Sequence, residues 1–88
     1  MAGHKIDSRS GVFFMYLTEM KIGEPATIVS YEGFGQSEER RLYDMGIAIG
    51  STVVVLHVLS RGRLYIITVD DVDFCLRAKE AQKIRVVV

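Results

Sequence analysis

The 88-residue sequence has no tryptophan, one proline and one cysteine, Cys75. A lone cysteine excludes an intrachain disulfide and is typical of a cytoplasmic protein. Neither sign of charge is in excess, because 11 Lys and Arg residues balance 11 Asp and Glu residues. Nucleic-acid binding depends on surplus cations that displace counterions from phosphates. The sequence therefore predicts no nucleic-acid partner.

Long apolar runs are also missing. The longest, residues 53–59, contains His57 and falls far short of the roughly 20 residues that a membrane-spanning helix needs. This run predicts a strand, and we expect a protein that is not inserted in a membrane. The polar N-terminal stretch lacks the apolar segment of a secretion signal. We predict that residues 1–14 are a leader or disordered tail and that residues 15–88 form one domain.

The sequence offers little for catalysis, which needs a nucleophile, a base and a group that orients them. The candidates are Cys75 and two histidines, one of which, His4, lies in the predicted tail. Cys75 stands between apolar residues of a predicted strand, where an inert thiol that is at least half-buried is expected. His57 alternates with valines and is expected to be packed. We predict no catalytic residue and therefore no enzyme.

Metal ligands are equally sparse. A structural zinc site would need Cys or His residues paired at short spacing, and no such pair exists. The densest carboxylate group is Asp70, Asp71 and Asp73, which we interpret as a solvated turn. Weak divalent-metal binding through these oxygens is the alternative. The sequence predicts no metal-ligating residue set and no cofactor.

Alternating apolar residues between turn signals predict five or six short strands. Pro25 has no N–H to donate and suits the start of a strand, so residues 26–31 form the first. The other strands are predicted at residues 51–59, 63–69, 72–76 and 83–88, with a helical turn at residues 77–82. This pattern indicates a mostly β fold with short helices, closed into a small β-barrel. The predicted inward-facing residues are Val53, Val55, Leu64, Ile66, Val72, Phe74 and Leu76.

The best-specified element is a helix over residues 37–45. Ser37 is its predicted N-cap, and the two glutamates that follow place negative charge where the helix dipole favours it. Gly46 can adopt the left-handed conformation that ends a helix, with Ile47 folding back on Leu42. The helix therefore has a defined start and a defined stop.

The two faces of this helix differ in chemistry. Leu42 and Met45 are predicted to face inward, which turns Arg40 and Tyr43 outward and leaves Arg41 on the flank. Tyr and Arg are frequent energetic anchors of protein interfaces. The predicted partner-binding residues are therefore Arg40, Arg41 and Tyr43. The alternative is a solvated face on which Arg40 pairs with the carboxylate four residues further on.

Several segments together resemble the FeoA family. Residues 17–24, LTEMKIGE, followed by ATIV, resemble the opening of the family. Residues 40–47, RRLYDMGI, resemble its most specific motif, a basic helix that ends in Leu-x-x-Met/Leu-Gly-Ile/Leu. GSTV at residues 50–53 matches the turn that follows, and residues 76–77 and 80–86 match the end. The likeness covers residues 17–88, although Ile49 stands where the family usually carries proline.

The resemblance implies an SH3-like barrel that acts in the cytoplasm beside FeoB, a membrane permease with a GTPase domain. It implies an accessory protein that binds this partner and regulates ferrous iron transport without carrying iron itself. The same barrel also stands at the end of the chain in iron-dependent repressors. The alternative is therefore an SH3-like regulatory module of a metal-dependent repressor system, or another protein-interaction domain.

Overall fold

The computed structural model describes residues 5–7 and 12–88, and the surroundings of side chains from residue 14 onward. Antiparallel strands dominate, as predicted, with two short α-helices and one 3-10 turn at Leu17–Glu19. The elements are β1 (Lys5–Asp7), β2 (Val12–Tyr16), β3 (Pro25–Tyr31), α1 (Gln36–Met45), β4 (Thr52–Leu59), β5 (Leu64–Val69), β6 (Val72–Arg77), α2 (Ala78–Ala81) and β7 (Ile84–Val87). None of the helices in these ranges is long and apolar enough to cross a membrane.

The predicted tail over residues 1–14 falls partly outside the described residues. Within them, β1 pairs with the start of β2, and β2 continues past residue 14 into the domain. The division of the chain at residue 14 stays a prediction.

The strands form one antiparallel sheet in the order β1-β2-β7-β3-β4-β5-β6. The C-terminal strand β7 lies inside the sheet between β2 and β3, where Val86 is paired with Met15 on one side and Ile28 on the other. The two ends of the folded chain therefore stabilise each other. Among the described strands, β1 and β6 form the two edges.

A single cluster of buried apolar side chains fills the inside of the sheet. Its members are Met15, Leu17, Met20, Ala26, Ile28, Leu42, Ile47, Val53, Val55, Tyr65, Ile67, Val69, Leu76, Ala81, Ile84 and Val86. All strands from β2 to β7 contribute to it, so the sheet curls around one core. The 3-10 turn and α2 also contribute, through Leu17 and Ala81, both 0% exposed. The predicted core positions Val53, Val55 and Leu76 are confirmed, with exposures of 0%, 0% and 1%.

The predicted inward face of β5 is wrong. Leu64 and Ile66 are half-buried on the outer side, and the buried side chains are Tyr65, Ile67 and Val69. The sheet register is the cause, because β4 pairs Val53 with Val69 and Val55 with Ile67, and directly opposed residues share a face. Residues 64–67 are all apolar, so the sequence carries no alternation that would reveal this.

A bulge in β4 overturns the prediction that His57 is packed. The pairing of β4 with β5 shifts between Val55 and His57, which leaves Leu56 as an extra residue. A bulge interrupts the regular alternation of side chains between the two faces. His57 is consequently exposed.

The predictions for β6 also need correction. Val72 is 54% exposed because it lies at the rim, directly after the two-residue turn at Asp70 and Asp71. Phe74 is only partly buried against the core. Cys75, predicted to be at least half-buried, is exposed, because its neighbours on either side take the inward positions.

Helix α1 begins at Gln36, one residue earlier than predicted, and its N-cap is Gly35 rather than Ser37. The Gly35 N–H donates to Glu38 Oε1 at 3.0 Å, so a side chain of the first turn caps the helix. The predicted stop is confirmed: Gly46 has φ +104°, and the Ile47 N–H donates to the Leu42 carbonyl at 2.9 Å.

Candidate functional site

The outer face of α1 presents two of the predicted partner-binding residues to solvent. Leu42 is 1% exposed and anchors the opposite face of the helix, whereas Tyr43 is 66% exposed. The Arg40 side chain is 81% exposed, and its Nε lies 3.7 Å from Asp44 Oδ2. An exposed pair one helical turn apart contributes little free energy. Arg40 therefore stays available for other contacts.

Arg41, the third predicted residue, is occupied by contacts within the chain. Its Nη2 donates to Glu80 Oε2 at 2.6 Å, which joins α1 to α2. Its Nη1 lies 3.7 Å from the sulfur of Met45. Met45 was predicted to be inward, but it is 37% exposed, because Leu42 and Ile47 already fill the contact between helix and sheet. The structure therefore places Arg40 and Tyr43 together and turns Arg41 toward α2.

A groove of about 430 Å³ borders the outer face of α1. Its lining consists of Tyr31, Gln36, Glu39, Arg40, Tyr43 and Asp44. Aromatic surface, an amide and both signs of charge therefore lie together at one site. This combination suits a polar and aromatic segment of another protein.

Tyr31 connects this groove to the core. Its hydroxyl donates to the Ile47 carbonyl, and its ring meets Phe34 edge-on, with centroids 6.2 Å apart. Burial raises the pKa of Tyr31, and the charge of Glu39 raises it further, so the hydroxyl stays protonated at neutral pH. Sequence reasoning missed Tyr31 as a site residue. The available signal was an aromatic residue at a strand end with a second aromatic in the next loop.

Exposed apolar side chains also lie at the C-terminal end of α1 and just beyond it. Met45 ends α1, and Ile49, in the loop that follows, is 58% exposed. From the sequence, Ile49 is identified only as the residue that replaces the proline usual in the family. Met45 lies beside Arg41, away from the face that carries Arg40 and Tyr43.

A second polar surface lies at the β4–β5 hairpin and α2. A cavity of about 510 Å³ there is lined by Arg63, Arg77 and Lys79, together with Ser60, Leu64 and Ala78. None of these lining residues is acidic. This hairpin is the principal competing surface for a protein partner.

The described residues contain no group of three His, Cys, Asp or Glu side chains that could hold a metal ion. His57 and Cys75 both lie opposite Ile66, on its two flanking strands. Two strand spacings separate their backbones, about 10 Å, and the Ile66 side chain stands between them on the same face.

Comparison with known proteins identifies the family of this chain. A sequence model of the FeoA domain matches residues 15–88. The solution structure of FeoA from Chlorobium tepidum shares 29% identity at a TM-score of 0.75, over 82% of this chain and 68% of that one. Iron(II) transport protein A from Clostridium thermocellum shares 30% identity at a TM-score of 0.75, over 84% of this chain. This chain spans only 45% of the Clostridium protein. No curated protein matches.

Two further structures bear on the fold. FeoA from Stenotrophomonas maltophilia, solved with zinc and described as a procaryotic SH3 domain protein, shares 25% identity at a TM-score of 0.69. The alignment covers 82% of this chain and 88% of that one. A manganese-dependent transcriptional repressor shares 22% identity at a TM-score of 0.75, over 84% of this chain and 41% of that one. At this identity the likeness shows the fold alone. The predicted SH3-like barrel is confirmed.

Proposed function

Because this chain belongs to the FeoA family, we propose that it is an accessory protein of ferrous iron transport. It binds the cytoplasmic part of a FeoB-type permease and regulates transport, without carrying iron or catalysing a reaction. The family likeness covers the whole described domain from Met15 onward. The proposal places the protein in the cytoplasm, beside its membrane partner.

The exposed face of α1 is the observation that carries the partner-binding proposal. Arg40 and Tyr43 lie one turn apart on a helix whose opposite face is anchored by the buried Leu42, and both line the groove together with Tyr31. Rigid presentation lowers the entropy that a side chain loses on binding. Arg and Tyr combine contact area with directional hydrogen bonding, which is why they often dominate interface energetics.

The role of Arg41 in this proposal is indirect. Its contact with Glu80 links α1 to α2 and so helps to orient the face that carries Arg40 and Tyr43. Arg41→Ala should therefore weaken partner binding less than the loss of either outer residue. An equal or larger effect would assign Arg41 a direct contact.

The experiment compares partner binding by two double variants. Arg40→Ala with Tyr43→Ala removes the proposed anchors, and Leu59→Ala with Arg61→Ala removes one apolar and one cationic exposed side chain from the hairpin. Each variant is titrated calorimetrically with the cytoplasmic domain of the permease. We expect the helix variant to keep its melting temperature and to bind at least roughly tenfold more weakly. Full-strength binding by the helix variant, with loss in the hairpin variant, would move the contact surface to the hairpin.

We further propose that the protein holds no resident metal ion. Cys75 and His57, the cysteine and the histidine among the described residues, are separated by Ile66 and its strand. The carboxylates at residues 70, 71 and 73 are exposed around a tight turn. Exposed carboxylates of this kind are expected to bind divalent cations weakly.

A further inference from the structure

Strand β6 ends the sheet, and no strand in the described ranges pairs with its outer edge. Its pairing with β5 runs from Val69↔Val72 to Leu64↔Arg77 without a bulge, so the edge is regular. It contains no proline or lysine, which proteins often use to block such edges. An exposed regular edge is a template for another strand.

The hydrogen bonds between β5 and β6 show which backbone groups of β6 face the free edge. The Ala78 N–H donates to the Arg63 carbonyl at 2.8 Å. Because bonded and non-bonded pairs alternate in antiparallel sheets, the even-numbered residues of β6 direct their N–H and C=O groups toward β5. The odd-numbered residues Asp73, Cys75 and Arg77 therefore direct their N–H groups outward, and Asp73 and Cys75 direct their C=O groups outward as well. The C=O of Arg77, the N-cap of α2, accepts the first hydrogen bond of that helix. The Arg77 N–H fits this alternation, since it leaves the sheet to reach Glu80 Oε1 at 3.1 Å.

The same three residues also form a self-complementary row of side chains. Asp73, Cys75 and Arg77 are all exposed, and neither Asp73 nor Arg77 forms an ion pair among the described side chains. If a second β6 aligns antiparallel with Cys75 opposite Cys75, each Asp73 lies opposite the partner's Arg77. The charges then attract at both ends of the row, and outward-facing backbone groups meet outward-facing backbone groups.

We propose that β6 is a self-association edge, at which two copies of this chain pair antiparallel about Cys75. In this arrangement each Cys75 N–H donates to the partner's Cys75 carbonyl, and the two Asp73–Arg77 charge pairs flank these bonds. The Arg77 N–H stays on Glu80. A contact limited to one strand is smaller than a typical stable interface, so the dimer forms at high local concentration rather than permanently.

Oxidation of the native chain tests the pairing directly, because Cys75 is its one cysteine. Directly opposed residues of a hydrogen-bonded pair have Cα atoms about 5.5 Å apart, within the range that a disulfide spans. Their Cβ atoms are also about 5.5 Å apart, roughly 1 Å beyond the usual disulfide spacing, so closing the bond needs a small backbone adjustment. Diamide accepts the two electrons and two protons released as two thiols form one disulfide. We expect disulfide-linked dimers on a non-reducing gel.

The matched control moves the thiol two residues along the same strand and face. In Asp73→Cys with Cys75→Ser, the two introduced thiols of the proposed dimer are four residues apart along the strand, about 13 Å. We expect this variant to cross-link at least roughly tenfold more slowly than the native chain, as expected for a specific register. Equal rates would mean random collision and would overturn the proposal.

Charge reversal provides a second test. Asp73→Arg places like charges opposite each other at both ends of the row and should slow cross-linking roughly tenfold. Combining it with Arg77→Asp restores attraction and should restore the rate. Reaction of each variant with a monofunctional thiol reagent corrects for changes in thiol reactivity. A double variant as slow as the single one would contradict the register.

Hydrogen exchange of the unmodified chain avoids dependence on any variant. The Cys75 amide should exchange more slowly as protein concentration rises, whereas the Phe74 amide, bonded to β5, should be protected at every concentration. Exchange at Cys75 that does not change between dilute and concentrated protein would overturn the proposal.

Discussion

The register of β5 can be tested with two neighbouring isoleucines that face opposite sides of the sheet. Ile67 is 0% exposed inside the core, and Ile66 is half-buried on the outer side. Ile67→Ala removes buried methyl groups and leaves a cavity, which should lower the free energy of unfolding by about 2–5 kcal/mol. Ile66→Ala leaves no enclosed cavity, so its cost should be about 1–2 kcal/mol.

Urea denaturation followed by circular dichroism measures both changes. For a domain of this size, a difference of 1 kcal/mol corresponds to about 4–8 °C in melting temperature, so the two variants should separate clearly. Total stability of small proteins is about 5–15 kcal/mol, and Ile67→Ala can therefore prevent folding altogether. Ile67→Val and Ile66→Val then serve as the milder pair, with a cost of about 0.5–1.5 kcal/mol expected at the buried site. A larger loss at Ile66 than at Ile67 would refute the register.

Three other predictions concern local features. Gly46→Ala should destabilise the domain by about 1–2 kcal/mol in thermal unfolding, because φ is +104° there. The Tyr16 hydrogen bond and then Arg85 hold the pKa of Glu32 below its ordinary value, so their contribution to stability is present above the unfolded-state pKa and is lost as pH falls through the folded-state pKa. Glu32→Gln should reduce the loss of unfolding free energy at acid pH, and an unchanged loss would contradict the assignment. Anaerobic calorimetric titration with Fe²⁺ should show only weak binding, and a micromolar site abolished by Cys75→Ser would contradict this expectation.

Features with a local physical cause could be predicted from the sequence. The stop of α1 depends on Gly46 and on Ile47 folding back on Leu42, all within six residues, and it is confirmed. The outward positions of Arg40 and Tyr43 followed from helical periodicity once Leu42 was assigned inward. The resemblance to the FeoA family is likewise confirmed by the match over residues 15–88.

Features set by pairing between distant strands could not be predicted. Both faces of β5 are apolar around Ile66 and Ile67, and only the register with β4 decides which one is buried. The bulge at Leu56 has no glycine or other sequence signal, yet it exposes His57. Similarly, the contact of Arg41 with Glu80 joins residues 39 apart in sequence, so helical periodicity alone could not have revealed it.

The partner-binding claim is tested most directly by mapping the contact on the unmodified protein. The ¹⁵N-labelled chain is titrated with the unlabelled cytoplasmic domain of the FeoB-type permease, and amide signals are followed by NMR. We expect that signals of α1, Gln36–Met45, and of Tyr31 shift or broaden first, while those of the β4–β5 hairpin change little. Perturbation confined to the hairpin, or none at saturating partner, would contradict partner binding through α1.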